Sequence, residues 1–349
     1  AFVRQDAGHV PFAFSAVLSV ILVALLCAGQ VRSRIVLGSL LILDVATFLG
    51  AIPPEQRSGQ LGWAHELVSL RPGTANLSRL LSSGPVRAQL AVASTANLVP
   101  DLLPPEWVAR IGRSTVLVLP SEISACWANA LNCVPLPTLQ MYATYTAELD
   151  RWSARRLEEV RPAYVIASLG AIDQRNIVWD CPETWVTLLR GWEVVTHDAT
   201  GRLLLSRRQT PSPWTERMSA TTTGRVGEWL DVPPHQGPVR LGLQVQPRLS
   251  GRLRNLVLRP NVVMLQTRGA SGVVRSYRLV LDTARNGILL DASPATAAEL
   301  AGLFDCCTVS ERVEALRLTG PGARDLAAEL LLRWTFVETA RGLEVARAE

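Results

Sequence analysis

Around PSPW (residues 211–214) the spacing of apolar residues changes, and the two halves it separates must fold differently. Before it, STVLVLP (114–120) and PAYVIASLG (162–170) read as buried strands. Between them YTAELDRWSARRLEEV predicts an amphipathic helix, with Tyr145, Leu149, Trp152, Leu157 and Val160 on one face and Glu148, Arg151, Arg155, Glu158 and Glu159 on the other. PETWVTLLRGW follows as a helix with Pro182 suited to its first turn, and WEVVTHD and RLLLSRR as shorter strands. Alternating strands and helices imply an α/β layer with a partly parallel sheet. After the polar run SATTTG (219–224) the period becomes two. EWLDVP, VRLGLQVQP, LRNLVLRP, NVVMLQTRG, VVRSYRLVL and GILLDA read as strands, then ATAAELAGLF as a helix, then RVEALRLTG and LLLRWTFVE as strands. That pattern predicts an antiparallel β-sandwich.

The apolar fraction, 48%, is concentrated at the front. Residues 10–29 form an uncharged run about as long as a bilayer core requires, at roughly 1.5 Å per helical residue. Residues 35–53 form a second, interrupted only by Asp44. The expectation is a hairpin of two transmembrane helices, against the alternative of two buried core helices. A carboxylate inside a span should face a bundle interior or polar cavity, so Asp44 is an intramembrane polar candidate. Arg32 and Arg34, in the short connection, favour a cytoplasmic loop, which would put everything after about residue 54 outside the cytoplasm. The numbering begins at Ala1 and runs straight into the first apolar stretch, as the tail end of a longer polytopic protein would. The expected fold class is therefore α+β and multi-domain. Residues 1–54 would be the helix pair ending a membrane domain, 55–113 a helical collar, 114–212 the α/β domain and 220–349 the sandwich.

The net charge of +5 comes from arginine alone, and the arginines are scattered, with no basic helix interleaved with aromatics. Nucleic acid is not an expected partner. Of the six cysteines, Cys126 and Cys133 in CWANALNC are a disulfide candidate in an oxidising compartment. Cys181 could pair with Cys306 or Cys307, and this stays open. The histidines, His9, His65, His197 and His235, are far apart and no second CxxC occurs, so no metal site and no cofactor is expected in this chain. GxSxG, P-loop, GxGxxG and HExxH patterns are absent from the sequence.

PLPTLQMYATYTAELD (135–150) is the strongest candidate for chemistry. Pro135 and Pro137 hold an extended backbone that would present Gln140, Tyr142 and Tyr145, whose amide, hydroxyls and rings match sugar hydroxyls and ring faces. Asp150 could accept from a hydroxyl pair. The plainer alternative has Tyr145 in the core, Gln140 capping backbone and Asp150 pairing with an arginine. GAIDQRN (170–176) follows a strand, and ligands of open α/β sheets lie beyond the carboxyl ends of strands, which makes Asp173 and Arg175 ligand candidates or, plainly, a pair closing the loop. Trp179 and Trp185 offer stacking faces or core packing.

NCVPLPTLQMYATYTAELDRWSA, RPAYVIASLGAIDQRNIVWDCPETW and RVGEWLDVPP carry a resemblance to the C-terminal extracytoplasmic part of bacterial GT-C type membrane glycosyltransferases, and more narrowly to a group of bacterial polytopic membrane proteins similar to them. The resemblance covers roughly residues 35–349. It implies a bacterial inner-membrane protein whose outer, periplasmic domain binds or positions a glycan or a polyprenyl-phosphate sugar, with membrane lipid as a partner. The acidic catalytic loop of such enzymes, often with a divalent metal, would lie in a part not in this chain. No catalytic residue is carried over, and this fragment alone is not expected to be catalytic. The alternative, from another class, is a noncatalytic envelope protein serving as an interaction platform. An independent soluble hydrolase ranks third, because no nucleophile and base set is present.

Overall fold

The first strand signal becomes β1 (Thr115–Leu119). Val116, Leu117 and Leu119 are buried and Thr115 and Val118 half-buried, because successive side chains leave opposite faces of the sheet and both faces are covered. The computed structural model describes residues 20, 21, 23–25, 27, 31–51, 83–121, 123–235, 237–257, 260–305, 309 and 311–339. These fall into two compact units, residues 1–94 and 95–349.

In the first unit, helix α1 (Val31–Ala51) takes up the second apolar run. Among the described residues no helix is long and apolar enough to cross a membrane, so the expected pair of spans is not found there. The physical reason is visible in α1. It begins at Val31, so Arg32 and Arg34, expected in a loop, lie in its first turn, and Asp44 lies further along. That leaves less uninterrupted apolar length than the ~20 residues a span needs. The surroundings of the Asp44 side chain, and nearly all of residues 10–29, lie outside the described residues. Helix α2 (Ser83–Leu98) follows, as part of the expected collar.

In the second unit, β1, β2 (Asn132–Cys133), β3 (Tyr164–Ala167), β4 (Trp192–His197) and β5 (Leu203–Arg207) form a sheet in the order β2-β1-β3-β5-β4. β1 runs parallel to β2 and β3, and β5 antiparallel to β3 and β4. The two faces divide by parity. Val116, Ile166 and Leu204 meet Trp107 and Ile111 of α3 (Pro105–Ile111), so this helix, expected in the collar, is a layer of the sheet. Leu117, Leu119, Val165, Ala167, Leu203 and Leu205 point the other way, into the main core.

That second face is covered by α5 (Ala147–Val160), which follows the short α4 (Ser124–Ala128), and by α7 (Pro182–Gly191), which follows the single turn α6 (Ile177–Asp180). The buried stripe of α5 is Ala147, Asp150, Ser153, Ala154 and Leu157, while Trp152 is exposed. The expected apolar face shares only Leu157 with it. Asp150 decides the rotation: its carboxylate holds the first turn of α7, and that anchor outweighs the burial of one tryptophan.

After PSPW come two four-stranded antiparallel sheets, in the orders β10-β9-β12-β7 and β11-β8-β13-β6. The first contains β7 (Leu230–Asp231), β9 (Val263–Gly269), β10 (Val274–Leu279) and β12 (Val313–Thr319). The second contains β6 (Trp214–Arg225), β8 (Val239–Pro247), β11 (Ile288–Leu289) and β13 (Leu326–Thr339). Their inner residues, among them Leu241, Leu265, Leu316 and Trp334, belong to the same apolar core as α7 and β3. The whole is an α+β fold with several antiparallel sheets. Residues 219–224, read as a boundary, lie inside β6, because threonine's branched side chain suits a long strand paired along β13. LRNLVLRP, read as a strand, falls largely in helix α8 (Leu249–Val257). Helices α9 (Leu281–Ala284) and α10 (Ala297–Phe304) complete the unit.

Candidate functional site

The connection from β1 leads to β2 on one side, and the chain then crosses back to place β3 on the other. The carboxyl ends of β1 and β3 therefore flank a point where strand order reverses, the usual position of ligands in open α/β sheets. Two loops meet there, residues 134–146 and 168–176. Cys126 and Cys133 are joined by a disulfide that closes the α4–β2 turn, with their Cα atoms 6.0 Å apart. From it the proline-rich strand runs back to β1, where the Met141 amide donates to the Pro120 carbonyl at 2.9 Å. Cys181 is free and buried, and its thiol donates to the Met141 carbonyl at 3.5 Å. Cys306 and Cys307 lie outside the described residues.

Four of the six candidates come together. The Tyr142 hydroxyl donates to Gln140 Oε1. The Arg175 guanidinium is buried, donates to the Tyr142 carbonyl at 2.8 Å, and lies 5.1 Å from the centre of the half-exposed Tyr145 ring. Tyr145 thus does not enter the core as the plain reading had it, and Gln140 makes no cap. Asp173 sits beside this group on the left-handed turn Asp173-Gln174, φ 54° and 61°. The turn is pinned to β10: Arg278 N–H donates to the Gln174 carbonyl at 2.8 Å and Arg278 Nη1 to Asp173 Oδ2 at 2.8 Å. Asp173 and Arg175 therefore do not pair with each other.

Asp150 belongs elsewhere. Its oxygens accept from the Glu183 amide (3.0 Å), the Thr184 amide (3.1 Å) and hydroxyl (3.0 Å), and Asn286 Nδ2 (2.9 Å). With its lone pairs spent it cannot take a ligand hydroxyl. It caps the N-terminus of α7, where the helix dipole favours a negative charge. Trp179 and Trp185 are core residues too, Trp179 donating to the Leu289 carbonyl at 2.7 Å.

No protein-family model and no curated protein matches the chain. Chemistry has to be read from the side chains themselves.

Asp180, not among the residues expected to carry chemistry, is the second buried ion here. Its Oδ1 is 3.5 Å from Arg175 Nη1. Burial nevertheless pushes its carboxyl up to about 7, because loss of water outweighs the attraction of Arg175. Arg175 Nε and Nη2 have no partner although buried, an arrangement that costs roughly 1–3 kcal/mol per group and is rare. Among the described residues no cluster of His, Cys, Asp and Glu could hold a metal ion. The signal for Asp180 was present in IVWDCPETW, an acidic residue inside an apolar run; nothing in the alternating strand VVRSYRLVL marked Arg278 as the residue that ties down the loop.

A pH dependence follows from Asp180. A carboxyl whose folded pKa is raised from 3.8 to about 7 gives stability that is complete below pH ~4 and is lost as pH rises from about 4 to about 7. Asp180→Asn keeps an acceptor for Arg175 but cannot titrate. Urea denaturation of the variant should show a shallower fall across that window than the wild-type chain; an unchanged slope would assign the pH dependence to other groups.

Proposed function

We propose that residues 95–349 act as the extracytoplasmic, glycan-binding part of a membrane protein of the glycosyltransferase type, with a sugar or lipid-linked sugar lying across Gln140, Tyr142, Tyr145 and Asp173. The observation that carries this reading is the Tyr145 ring, which has the buried Arg175 guanidinium 5.1 Å from its centre and yet stays 37% exposed. A ring so held is already ordered, so stacking a sugar on it costs little additional entropy. Tyr142, Gln140 and Asp173 supply a hydroxyl, an amide and a carboxylate beside it. The neighbouring cavity between β1 and the 134–139 segment holds only about 10 Å³, so the ligand would lie on the surface. The Cys126–Cys133 disulfide supports a place outside the reducing cytoplasm. The uncharged apolar run at residues 10–29 supports attachment to the bacterial inner membrane.

Exposed Trp127, Leu139 and Trp152 favour a second reading, a protein-interaction platform. A glycan array probed with the intact chain separates the two. Tyr145→Ala should weaken glycan binding about 3- to 10-fold, the worth of an aromatic contact of ~0.5–1.5 kcal/mol, with parallel losses in Tyr142→Ala and Asp173→Ala. Absence of binding to every glycan would leave the platform standing.

A further inference from the structure

At the opposite end of the five-stranded sheet, where β3 begins and β5 ends, a groove of about 510 Å³ opens between α5 and α7. Arg161, Arg190, Arg207 and Arg208 line it, against one carboxylate, Glu158. Its size falls within the range of small-ligand sites, about 300–1,000 Å³. Both helices end at this groove, and carbonyls at helix C-termini ordinarily repel anions. Here four of the carbonyls at these ends are already taken. Glu158 O accepts from Arg161 Nε at 3.0 Å, and Arg161 O from Arg207 Nη1 at 3.2 Å. Gly191 O accepts from the Arg208 amide at 2.8 Å, and Arg190 O from the Ser212 amide at 2.8 Å.

The same bonds fix the arginines in place. Arg208 is tied by Nε to the Trp192 carbonyl and by Nη2 to the Phe304 carbonyl, both at 2.8 Å, and by Nη1 to Glu193 at 3.2 Å. Arg161 and Arg207 are held by carbonyls, which orient them without neutralising their charge. Arg190, exposed in the last turn of α7, makes no side-chain hydrogen bond among the described residues, and Glu216, the carboxylate whose charge it feels, is engaged by Arg240 and Trp214.

We propose that this groove binds a phosphate group, with the unspent N–H edges of Arg161, Arg190 and Arg207 as its donors. Guanidinium forks match phosphate oxygens two at a time, and pre-positioned forks lose little freedom on binding. A carboxylate ligand would carry less charge to set against three such forks, and the single Glu158 on the wall discriminates against weakly charged ligands. The site is independent of the sugar surface at the other end of the sheet.

The test uses the intact chain and inorganic diphosphate, followed by calorimetric titration. Arg190→Gln should weaken binding about tenfold or more, since it removes a fork without breaking any internal bond. Glu158→Gln should strengthen it. Arg252→Gln, on the exposed face of α8 and away from the groove, should leave it unchanged. Vesicles of phosphatidylglycerol, with phosphatidylcholine as the uncharged comparison, identify the source of the phosphate. Arg190-dependent binding to anionic vesicles without binding of free diphosphate makes the ligand a lipid headgroup and upholds phosphate recognition. No Arg190-dependent binding to either probe overturns the proposal, and so do equal losses in Arg190→Gln and Arg252→Gln, which would mark mere net charge. Glycan binding unaffected by Arg190→Gln keeps this outcome separate from that of the sugar surface.

Discussion

Asp150→Ala is expected to lower the melting temperature of the chain by roughly 6–12 °C. The carboxylate is wholly buried and satisfies two amides at the start of α7, the Thr184 hydroxyl and the Asn286 amide at once. Losing a cap costs about 1–2 kcal/mol, and the stranded buried donors cost about 1–3 kcal/mol more, so ~3 kcal/mol in all is reasonable. For a unit of this size each kcal/mol moves the melting point by roughly 2–4 °C. Burial holds the carboxyl above its ordinary range while the four donors pull it back, so removing the group also relieves a desolvation cost and keeps the effect from being larger. Asp150→Asn retains one acceptor but turns an NH₂ toward N–H groups, and should fall between the two. Calorimetry decides: a shift under ~2 °C in the alanine variant would mean that water takes over the capping at no cost.

Trp334→Ala should cost more, about 3–5 kcal/mol. Trp334 is fully buried on β13, the strand between β6 and β8, and its indole N–H donates to the Thr222 hydroxyl at 2.9 Å. Truncation leaves a void on the central strand of that sheet, in the core shared with the α/β half, and neither sheet can close over it. Trp334→Phe keeps most of the volume and loses the hydrogen bond, for about 1–2 kcal/mol. Urea titration should show a lower midpoint with an unchanged slope; a reduced slope would show that the two halves unfold separately.

The contrast between these residues shows where sequence reading succeeds. VRLGLQVQP, RVEALRLTG and ATAAELAGLF were legible because their periodicity is set by the layers they join: β8, β12 and α10 follow them closely. LRNLVLRP was misread because its leucines and arginines fit either period over so short a stretch, and α8 resulted. SATTTG looked like a linker because its residues are polar, yet β6 has an exposed face and a long partner, and polar threonines serve an exposed strand well. In α5 the hydrophobic pattern pointed at Trp152, while a buried carboxylate turned the helix instead.

The candidate site divides in the same way. Tyr142, Tyr145, Asp173 and Arg175 were recognisable because polar and aromatic groups crowd next to strand ends. Their roles were not. Which arginine meets Asp173 depends on β10, and which carboxylate meets Arg175 depends on α6. The arginine groove is legible nowhere in the sequence, for its residues come from the end of α5, the end of α7 and the end of β5.

By itself the sequence determined the order of most strands and helices between residues 114 and 339, the switch from mixed to antiparallel pairing, the Cys126–Cys133 closure and the residues crowded at the strand ends, because each shows in the pattern of neighbouring residues. The tertiary structure alone decided the facing of α5, the pairing of buried charges and the partition of arginines between structure and open groove, because those depend on which distant groups are brought close enough to replace water.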